Sequence, residues 1–267
     1  MNTSKTKDQY YTHPDLVNTC VNLIKPYITN AHTILEPSAG TGNFLKALQN
    51  YNIDAYDIEP KHKAVMRANF LETHPPNKPY ITIGNPPFGG HSTQLAVRFF
   101  NKCAVISDYI AFILPKSFRK QSVQNKLDLN FHIIKDIDCP KNSFLLDGVP
   151  WDVSTCFQIW EKRIDARNKI RFKGKYFTAH KEGPFEHGNF YMRFYGRNAG
   201  IVLPDNYCGS LNTVRIIKPK IPNLRKLIET LDFSEEKFNV GSMMCINALE
   251  VEQKIERILN VRTRPPH

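Results

Sequence analysis

The strongest chemical signal in the sequence is the segment Asn85-Pro86-Pro87-Phe88, which lies between two glycines and follows an apolar run. Because successive prolines lack backbone N–H groups and hold the chain extended, the polar groups that point outward are the Asn85 side-chain oxygen and the Pro86 carbonyl. Two such acceptors can bind both hydrogens of an exocyclic amine, and Phe88 can stack on the ring that carries it. These four residues are the predicted catalytic residues. A Pro-Pro turn that merely ends a strand is the alternative.

A second motif, Glu36-Pro37-Ser38-Ala39-Gly40-Thr41-Gly42, joins a short apolar strand to a helix. Its glycines let backbone N–H groups approach a ligand closely. The segment is neither a dinucleotide fingerprint nor a phosphate-binding loop, because it lacks their spacing and Glu36 would repel a phosphate. S-adenosylmethionine, which carries a sulfonium and an α-amino group, fits this acidic loop. A plain strand-to-helix turn is the alternative interpretation.

Two later positions extend the predicted cofactor site. Asp57 ends the next apolar run, close to the spacing of about 20 residues at which an acidic side chain accepts hydrogen bonds from ribose hydroxyls. The same residue could cap a helix, and both roles are compatible. Further along, Phe70 could stack on the cofactor adenine and Asn69 could bond its edge. A loop asparagine beside a core phenylalanine is the alternative.

The spacing of apolar residues predicts the elements that position these motifs. We expect strands at 33–36, 53–57, 80–84, 109–114, 131–137 and 155–160, and helices at 14–29, 44–48, 93–103, 122–129, 222–231 and 247–259. Alternating strands and helices indicate an α/β fold whose parallel sheet has helices on both faces. Ligands bind at the carboxyl ends of such strands, where Glu36, Asp57, Asn85 and Pro115 lie. One shared site is therefore predicted.

Charge divides the 267-residue chain, whose net charge is +11. Residues 1–161 contain 16 Lys/Arg and 14 Asp/Glu, whereas residues 162–267 contain 20 and 11. We predict a catalytic domain at 1–161 and a basic region at 162–267 that binds a polyanion, with a solvated basic surface as the alternative. Six scattered cysteines without a Cys-x-x-Cys pair indicate reduced thiols and no zinc site. No membrane span or signal peptide is expected, so the predicted location is the cytoplasm, or a host cytosol or nucleus if the protein is viral.

The order of these motifs resembles the gamma group of amino-methyltransferases, which modify adenine N6 or, less often, cytosine N4. The resemblance covers residues 8–161 and starts at Asp8-Gln9-Tyr10-Tyr11-Thr12. It implies a Rossmann-like S-adenosylmethionine-dependent methyltransferase fold with a mostly parallel seven-stranded sheet. The family often has Asp where Asn69 stands, a departure that bears on the adenine contact. The predicted cofactor-binding residues are Tyr11, Thr12, Glu36, Pro37, Ser38, Ala39, Gly40, Thr41, Gly42, Asp57, Ile58, Asn69 and Phe70.

The resemblance also implies that the target base is flipped out of its stack and held between Phe88 and a later aromatic residue. Phe144 is the first candidate for that aromatic residue and Trp151 is the second. Lys116 could touch a phosphate, with a surface lysine as the alternative. The basic run that is expected to track the phosphate backbone comprises Lys162, Arg163, Arg167, Lys169, Arg171, Lys173 and Lys175, with Tyr191, Arg193 and Arg197 nearby.

The predicted function is therefore a site-specific DNA methyltransferase that acts on adenine N6. Cytosine-N4 enzymes more often carry Ser at the position of Asn85. An adenine-N6 methyltransferase of RNA is the first alternative, because the contacts that distinguish RNA at its 2′-hydroxyl cannot be located from sequence. Related N-P-P-Y motifs occur in enzymes that methylate glutamine in proteins, and a nucleic-acid binder with a decayed site is the remaining alternative. No metal is expected.

Overall fold

The computed structural model describes residues 11–88, 93–146, 148–239 and 244–262, and the chain forms two compact units, Met1–Lys169 and Ile170–His267. The first unit thus extends beyond the predicted boundary at residue 161, because the last strand of its sheet reaches Lys162. In the described ranges, no helix is long and apolar enough to cross a membrane.

The first unit is built on a seven-stranded sheet. Its strands are β2 (Thr33–Glu36), β3 (Ile53–Asp57), β4 (Met66–Arg67), β5 (Tyr80–Gly84), β6 (Ser107–Pro115), β7 (Phe131–Asp138) and β10 (Thr155–Lys162), in the order β4-β3-β2-β5-β6-β10-β7. The neighbouring pairs from β4 to β6 are parallel, whereas β10 runs antiparallel to both β6 and β7. The predicted α/β fold with a mostly parallel seven-stranded sheet is confirmed.

Helices cover both faces of this sheet. Successive side chains of a strand point to opposite faces, so alternate residues pack into different core clusters. In β6, Ile110, Phe112 and Leu114 join one core cluster, while Ala111 and Ile113 join the other. The helices of this unit are α1 (Pro14–Ile24), α2 (Asn43–Ala47), α3 (Gln94–Ala104) and α4 (Gln121–Gln124), with 3-10 turns at Lys25–Tyr27 and Lys116–Arg119. The predicted helices at 14–29 and 122–129 are therefore shorter in the structure.

A second, small sheet in this unit was not predicted. It consists of β1 (Tyr11–Thr12), β8 (Phe144–Leu146) and β9 (Val149–Trp151), in the order β1-β8-β9 with antiparallel pairing. Thr12 lies opposite Phe144 in this register. The hairpin of β8 and β9 therefore holds β1 in place through backbone pairing.

The second unit contains a three-stranded antiparallel sheet of β11 (Phe177–His180), β12 (Phe190–Arg193) and β13 (Val214–Pro219), in the order β11-β13-β12. Its helices are α5 (Leu224–Glu229), α6 (Ser234–Phe238) and α7 (Ala248–Arg262), with a 3-10 turn at Leu211–Thr213. Phe177, Phe190, Ile217, Val251 and Ile255 belong to a core that these elements share. The two helices expected here are present, whereas the strands were not predicted.

Glu252 of α7 fixes the chain that enters β11. This carboxylate is 5% exposed and accepts hydrogen bonds from the backbone N–H groups of Lys173 (2.8 Å) and Lys175 (2.6 Å). A charged acceptor makes such bonds stronger than neutral ones. The backbone of the basic segment is therefore held in place by a buried acid, while the side chains of Lys173 and Lys175 are exposed.

We predict that Glu252→Ala lowers the free energy of unfolding by roughly 2–4 kcal/mol, because two backbone donors lose a charged acceptor. Thermal and urea unfolding followed by circular dichroism would measure this loss. Glu256→Ala, which removes only an exposed ion pair with Lys175 (3.0 Å), is the matched control and should leave the midpoint nearly unchanged. Equal midpoints for the two variants would contradict the assigned role of Glu252.

Candidate active site

A cavity of about 610 Å³ opens at the carboxyl ends of β2, β3 and β5 and is lined by the predicted motifs. Its volume is within the range of small-molecule sites. The predicted residues that line it are Tyr11, Thr12, Glu36, Pro37, Ser38, Ala39, Gly40, Thr41, Asp57, Ile58, Asn69, Phe70, Asn85, Pro86, Pro87 and Phe88. Gly42 does not line the cavity and instead begins α2, with a φ of +72°.

The glycine-rich loop is fastened to the end of β3 by Asp57. One oxygen of its carboxylate accepts a hydrogen bond from the Gly40 N–H (2.7 Å), and the other accepts one from the Glu59 N–H (2.7 Å). Asp57 thus caps a turn and no helix follows it directly. Gly40 has a φ of +48°, and a Cβ there would lie 3.2 Å from the Tyr11 ring. The loop conformation therefore requires glycine at this position.

Glu36 is the most unusual ionisable group in the cavity. Glu36 is 2% exposed, and its burial raises its pKa well above the ordinary value. The nearby charge of Asp57 raises the pKa of Glu36 further. A favourable interaction with the backbone N–H of Leu45 opposes that shift. Among the described residues, none hydrogen-bonds its Oε2 atom. A buried acceptor of this kind fits a cationic amino group, such as the α-amino group of S-adenosylmethionine.

Thr12 connects the two motifs. Its hydroxyl accepts a hydrogen bond from Asn85 Nδ2 (3.2 Å), and its backbone carbonyl accepts one from Asn43 Nδ2 (2.9 Å). On the other side of the motif, the Ser38 hydroxyl donates to the Asn85 carbonyl (3.1 Å). Because Asn85 Nδ2 faces Thr12, the amide oxygen occupies the opposite branch of the side chain. The predicted catalytic residue is thus contacted from two other segments, its side-chain amide by Thr12 and its backbone carbonyl by Ser38.

The predicted aromatic contacts differ in how much ring surface they offer. Phe88 is 9% exposed and lines the cavity while packing into the core. Phe70 is 1% exposed and packs against the Tyr56 and Phe99 rings, at centroid distances of 5.8 Å and 5.9 Å. Most of the Phe70 ring is therefore packed in the core, as the alternative interpretation predicts. Asn69 closes a turn by accepting from the Leu71 N–H (3.2 Å) and donating to Glu72 (2.7 Å).

The role predicted for Phe144 is wrong. Its side chain is completely buried in the core cluster that also contains Phe88, and it does not line the cavity. A ring enclosed on all sides cannot cover a flipped base, and the position of Phe144 opposite Thr12 makes it a packing residue. Trp151, the second candidate, is 38% exposed and lies opposite Phe144 in the β8–β9 hairpin, outside the cavity lining.

Four of the basic residues predicted to contact phosphates have acceptors within the first unit, among them Lys162, which donates to the Ala104 carbonyl (3.4 Å). Lys116 pairs with Asp138 (2.8 Å), and Arg163 pairs with Glu161 (2.8 Å). The Arg167 guanidinium donates to the backbone carbonyls of residues 124, 128 and 131, and burial lowers its pKa. These bonds give Arg167 a role in stabilising the fold, and its phosphate contact stays a prediction. Lys169 and Arg171 are exposed, which is compatible with a phosphate contact.

Several residues that line the cavity were not predicted: Asn43, Phe44, Glu59, Ala68, Leu71, Glu72, Leu95, Arg98 and Phe99. Six of the nine lie within two positions of a predicted residue, so the extent of each motif was underestimated. Leu95, Arg98 and Phe99 lie on α3, whose amphipathic pattern identifies a helix but not the cavity beside it. Within the described ranges, no group of three His, Cys, Asp or Glu residues is placed to hold a metal ion.

Comparisons with known proteins give only distant structural similarities. No protein-family model and no curated protein matches the chain. A proposed RNA methyltransferase from Pyrococcus horikoshii is 17% identical, with a TM-score of 0.49 over 59% of this chain and 88% of that one. A proposed methyltransferase from Escherichia coli is 16% identical, with a TM-score of 0.38 over 57% of this chain and 86% of that one. At these identities and scores, neither similarity bears on the substrate.

The pKa of Glu36 leads to a prediction about stability. Because the folded chain favours the protonated form, its stability should decrease as pH rises above about 4.3, the ordinary glutamate pKa, towards the raised pKa of the folded state. Glu36→Gln should remove this component and raise the melting temperature at neutral pH. Melting curves of both proteins between pH 4 and 8 would test this, and parallel curves would contradict it.

The same substitution should weaken binding of S-adenosylmethionine by roughly 10- to 100-fold, because a charge-assisted hydrogen bond to its amino group is lost. Isothermal titration calorimetry would measure the dissociation constant. Glu59→Gln is the matched control, since Glu59 also lines the cavity but is half-buried. An unchanged dissociation constant for Glu36→Gln would show that Glu36 does not bind the amino group.

Proposed function

We propose that the chain is an S-adenosylmethionine-dependent methyltransferase that transfers a methyl group to the exocyclic N6 amine of adenine in nucleic acid, with DNA favoured over RNA. The observation that supports this most directly is the joint lining of one cavity by Glu36, Gly40, Asp57 and Asn85. The hydrogen bonds from Ser38 to Asn85 and from Asn85 to Thr12 connect the predicted cofactor loop with the predicted catalytic motif.

The cofactor would be held by groups that the fold has already positioned. The buried Glu36 carboxylate would bind its α-amino group, and the backbone around Gly40 would follow its methionine part. Each Asp57 carboxylate oxygen accepts one backbone N–H and retains a second lone pair for a ribose hydroxyl. When bound, S-adenosylmethionine supplies a methyl group on a positively charged sulfur.

The catalytic contribution of the chain is positioning and electrostatic alignment. The Asn85 amide oxygen and the Pro86 carbonyl accept the two hydrogens of the target amine, which turns the nitrogen lone pair out of conjugation with the ring. Phe88 fixes the plane of the base by stacking. No strong base is required, because the nitrogen loses its proton after it has become positively charged.

The choice of nucleic acid as substrate depends on charge and on the motif. The chain carries a net charge of +11, which favours a polyanionic partner. Enzymes that methylate protein glutamine have tyrosine at the position of Phe88. The phenylalanine therefore favours a nucleobase as the substrate. DNA is preferred because the motif order resembles the gamma group of DNA methyltransferases. An RNA adenine is the second candidate substrate, because the same acceptors would bind the same amine.

Mass spectrometry of nucleosides would test the proposal. The full-length chain is incubated with labelled cofactor and with matched DNA and RNA of identical sequence, each as single strands and duplexes. We expect labelled N6-methyladenosine or its deoxy form, and no label in cytosine. Label in a protein partner, without label in either nucleic acid, would refute the proposal and favour glutamine methylation.

Asn85→Ala should reduce the rate of transfer by at least about 100-fold, because an acceptor for the target amine is lost. The dissociation constant for S-adenosylmethionine should change little, since the amide is not assigned to the cofactor. Single-turnover assays and calorimetry on the same preparation measure both quantities. Turnover near the unmodified rate would eliminate Asn85 as the amine acceptor.

Thr12→Val should reduce kcat by roughly tenfold, because the Asn85 amide loses the hydroxyl that sets its orientation. Thr12→Ser retains the hydroxyl and should restore most of the rate. If Thr12→Ser were as slow as Thr12→Val, a retained hydroxyl would not restore the rate, and the hydrogen bond could not account for the loss. That result would remove Thr12 as the residue that orients Asn85.

A further inference from the structure

The three-stranded sheet of the second unit has two chemically different faces. Directly opposite residues of antiparallel strands share a face. Phe190 and Met192 of β12, with Ile217 of β13, point into the core of the unit. The alternating positions Tyr191, Arg193, His180 and Lys218 therefore lie on the other face. That second face also carries the buried Val214 and Ile216, which it combines with one aromatic ring and three basic or titratable side chains.

Aromatic rings extend this face outward. The Phe185 ring stacks on Tyr191, with centroids 4.5 Å apart and planes inclined by 19°. Tyr191 in turn contacts Tyr207 at 5.7 Å, and the Tyr207 hydroxyl donates to the Ser210 carbonyl (3.0 Å). Phe185 is 39% exposed although its inner side is covered by Tyr191. The three rings therefore form a cluster that ends in an exposed aromatic surface, which we call the Phe185 platform.

The platform is held to the sheet and lies in a basic unit. Glu186, the residue after Phe185, accepts an ion pair from Lys218 (2.7 Å), which ties the loop to β13. Residues 170–267 contain 16 Lys/Arg and 10 Asp/Glu. The segment before β11 has three exposed basic side chains, those of Arg171, Lys173 and Lys175. This segment leads into the end of β11 that pairs with Lys218 and Pro219 of β13. A negatively charged chain is the partner that this distribution favours.

We propose that the Phe185 platform binds an unpaired base of single-stranded nucleic acid, with the neighbouring cations contacting its phosphates. A duplex offers no free base face, because its bases stack on each other, whereas a single strand can place a base directly on Phe185. The inference rests on the proposed function for the identity of the polymer. It deepens that function, because a base that is already unpaired costs the least to bring into a catalytic cavity.

Fluorescence anisotropy with the full-length chain tests this proposal, using a labelled single strand of about 16 nucleotides and the matching duplex. Phe185→Ala and Phe185→Leu should each weaken single-strand binding by roughly five- to tenfold, because base stacking requires an aromatic ring. Phe185→Trp should bind at least as tightly as the unmodified chain. Phe238→Ala is the matched control, since Phe238 is 51% exposed on α6 and outside the platform. Its affinity should not change.

Unchanged binding by Phe185→Ala, or by Phe185→Leu, would overturn the proposal, and so would an equal loss in Phe238→Ala. Circular dichroism on each variant shows whether it is folded, and the Phe185→Trp variant tests stacking even if Phe185→Ala does not fold. Nucleoside analysis of the same preparations separates the two proposals. Ring-dependent binding without methylated adenine refutes the proposed function alone, whereas methylation with ring-independent binding refutes the platform alone.

Discussion

The hydrogen bond between the Asn85 amide and the Thr12 hydroxyl is the interaction on which the candidate site depends. An asparagine side chain can present either its oxygen or its nitrogen, and only the oxygen can accept from an amine. In the structure the amide nitrogen donates to the Thr12 hydroxyl, and Thr12 is itself placed by the pairing of β1 with β8. The chemistry proposed at the end of β5 therefore depends on a hairpin more than 50 residues later in the chain. In that hairpin the completely buried Phe144 lies opposite Thr12 and so supports the residue that contacts Asn85.

Glu36 illustrates the electrostatic cost of building such a site. A carboxylate that is 2% exposed is destabilising when ionised, and burial raises its pKa for that reason. The nearby Asp57 increases the penalty, although backbone N–H groups compensate Asp57 itself. Binding of a cation would offset the cost in Glu36. The cavity is thus arranged so that its unfavourable charge becomes favourable only when a positively charged ligand is present.

The central strands could be predicted from sequence because both of their faces are buried. Thr33–Glu36, Ile53–Asp57 and Tyr80–Gly84 have the predicted bounds, since apolar runs between turn residues leave little ambiguity. The strands β1, β8 and β9 have two or three residues each and show no usable periodicity. The partners of basic residues could not be predicted for a different reason. Lys116 and Arg167 are basic residues, but their acceptors come from distant segments that only the fold brings near.

In the second unit, the sequence shows which residues are charged but not which of them are paired with each other. Its excess of Lys and Arg is visible in the sequence, and charge alone suggests that phosphates would be the main contact. Lys218, however, pairs with Glu186, and Lys175 pairs with Glu256, so part of that positive charge is neutralised internally. What remains distinctive is the Phe185 ring, supported from below by Tyr191 and exposed above. A face with partly compensated charge and a fixed aromatic ring favours stacking over purely electrostatic binding, which implies a preference for unpaired strands.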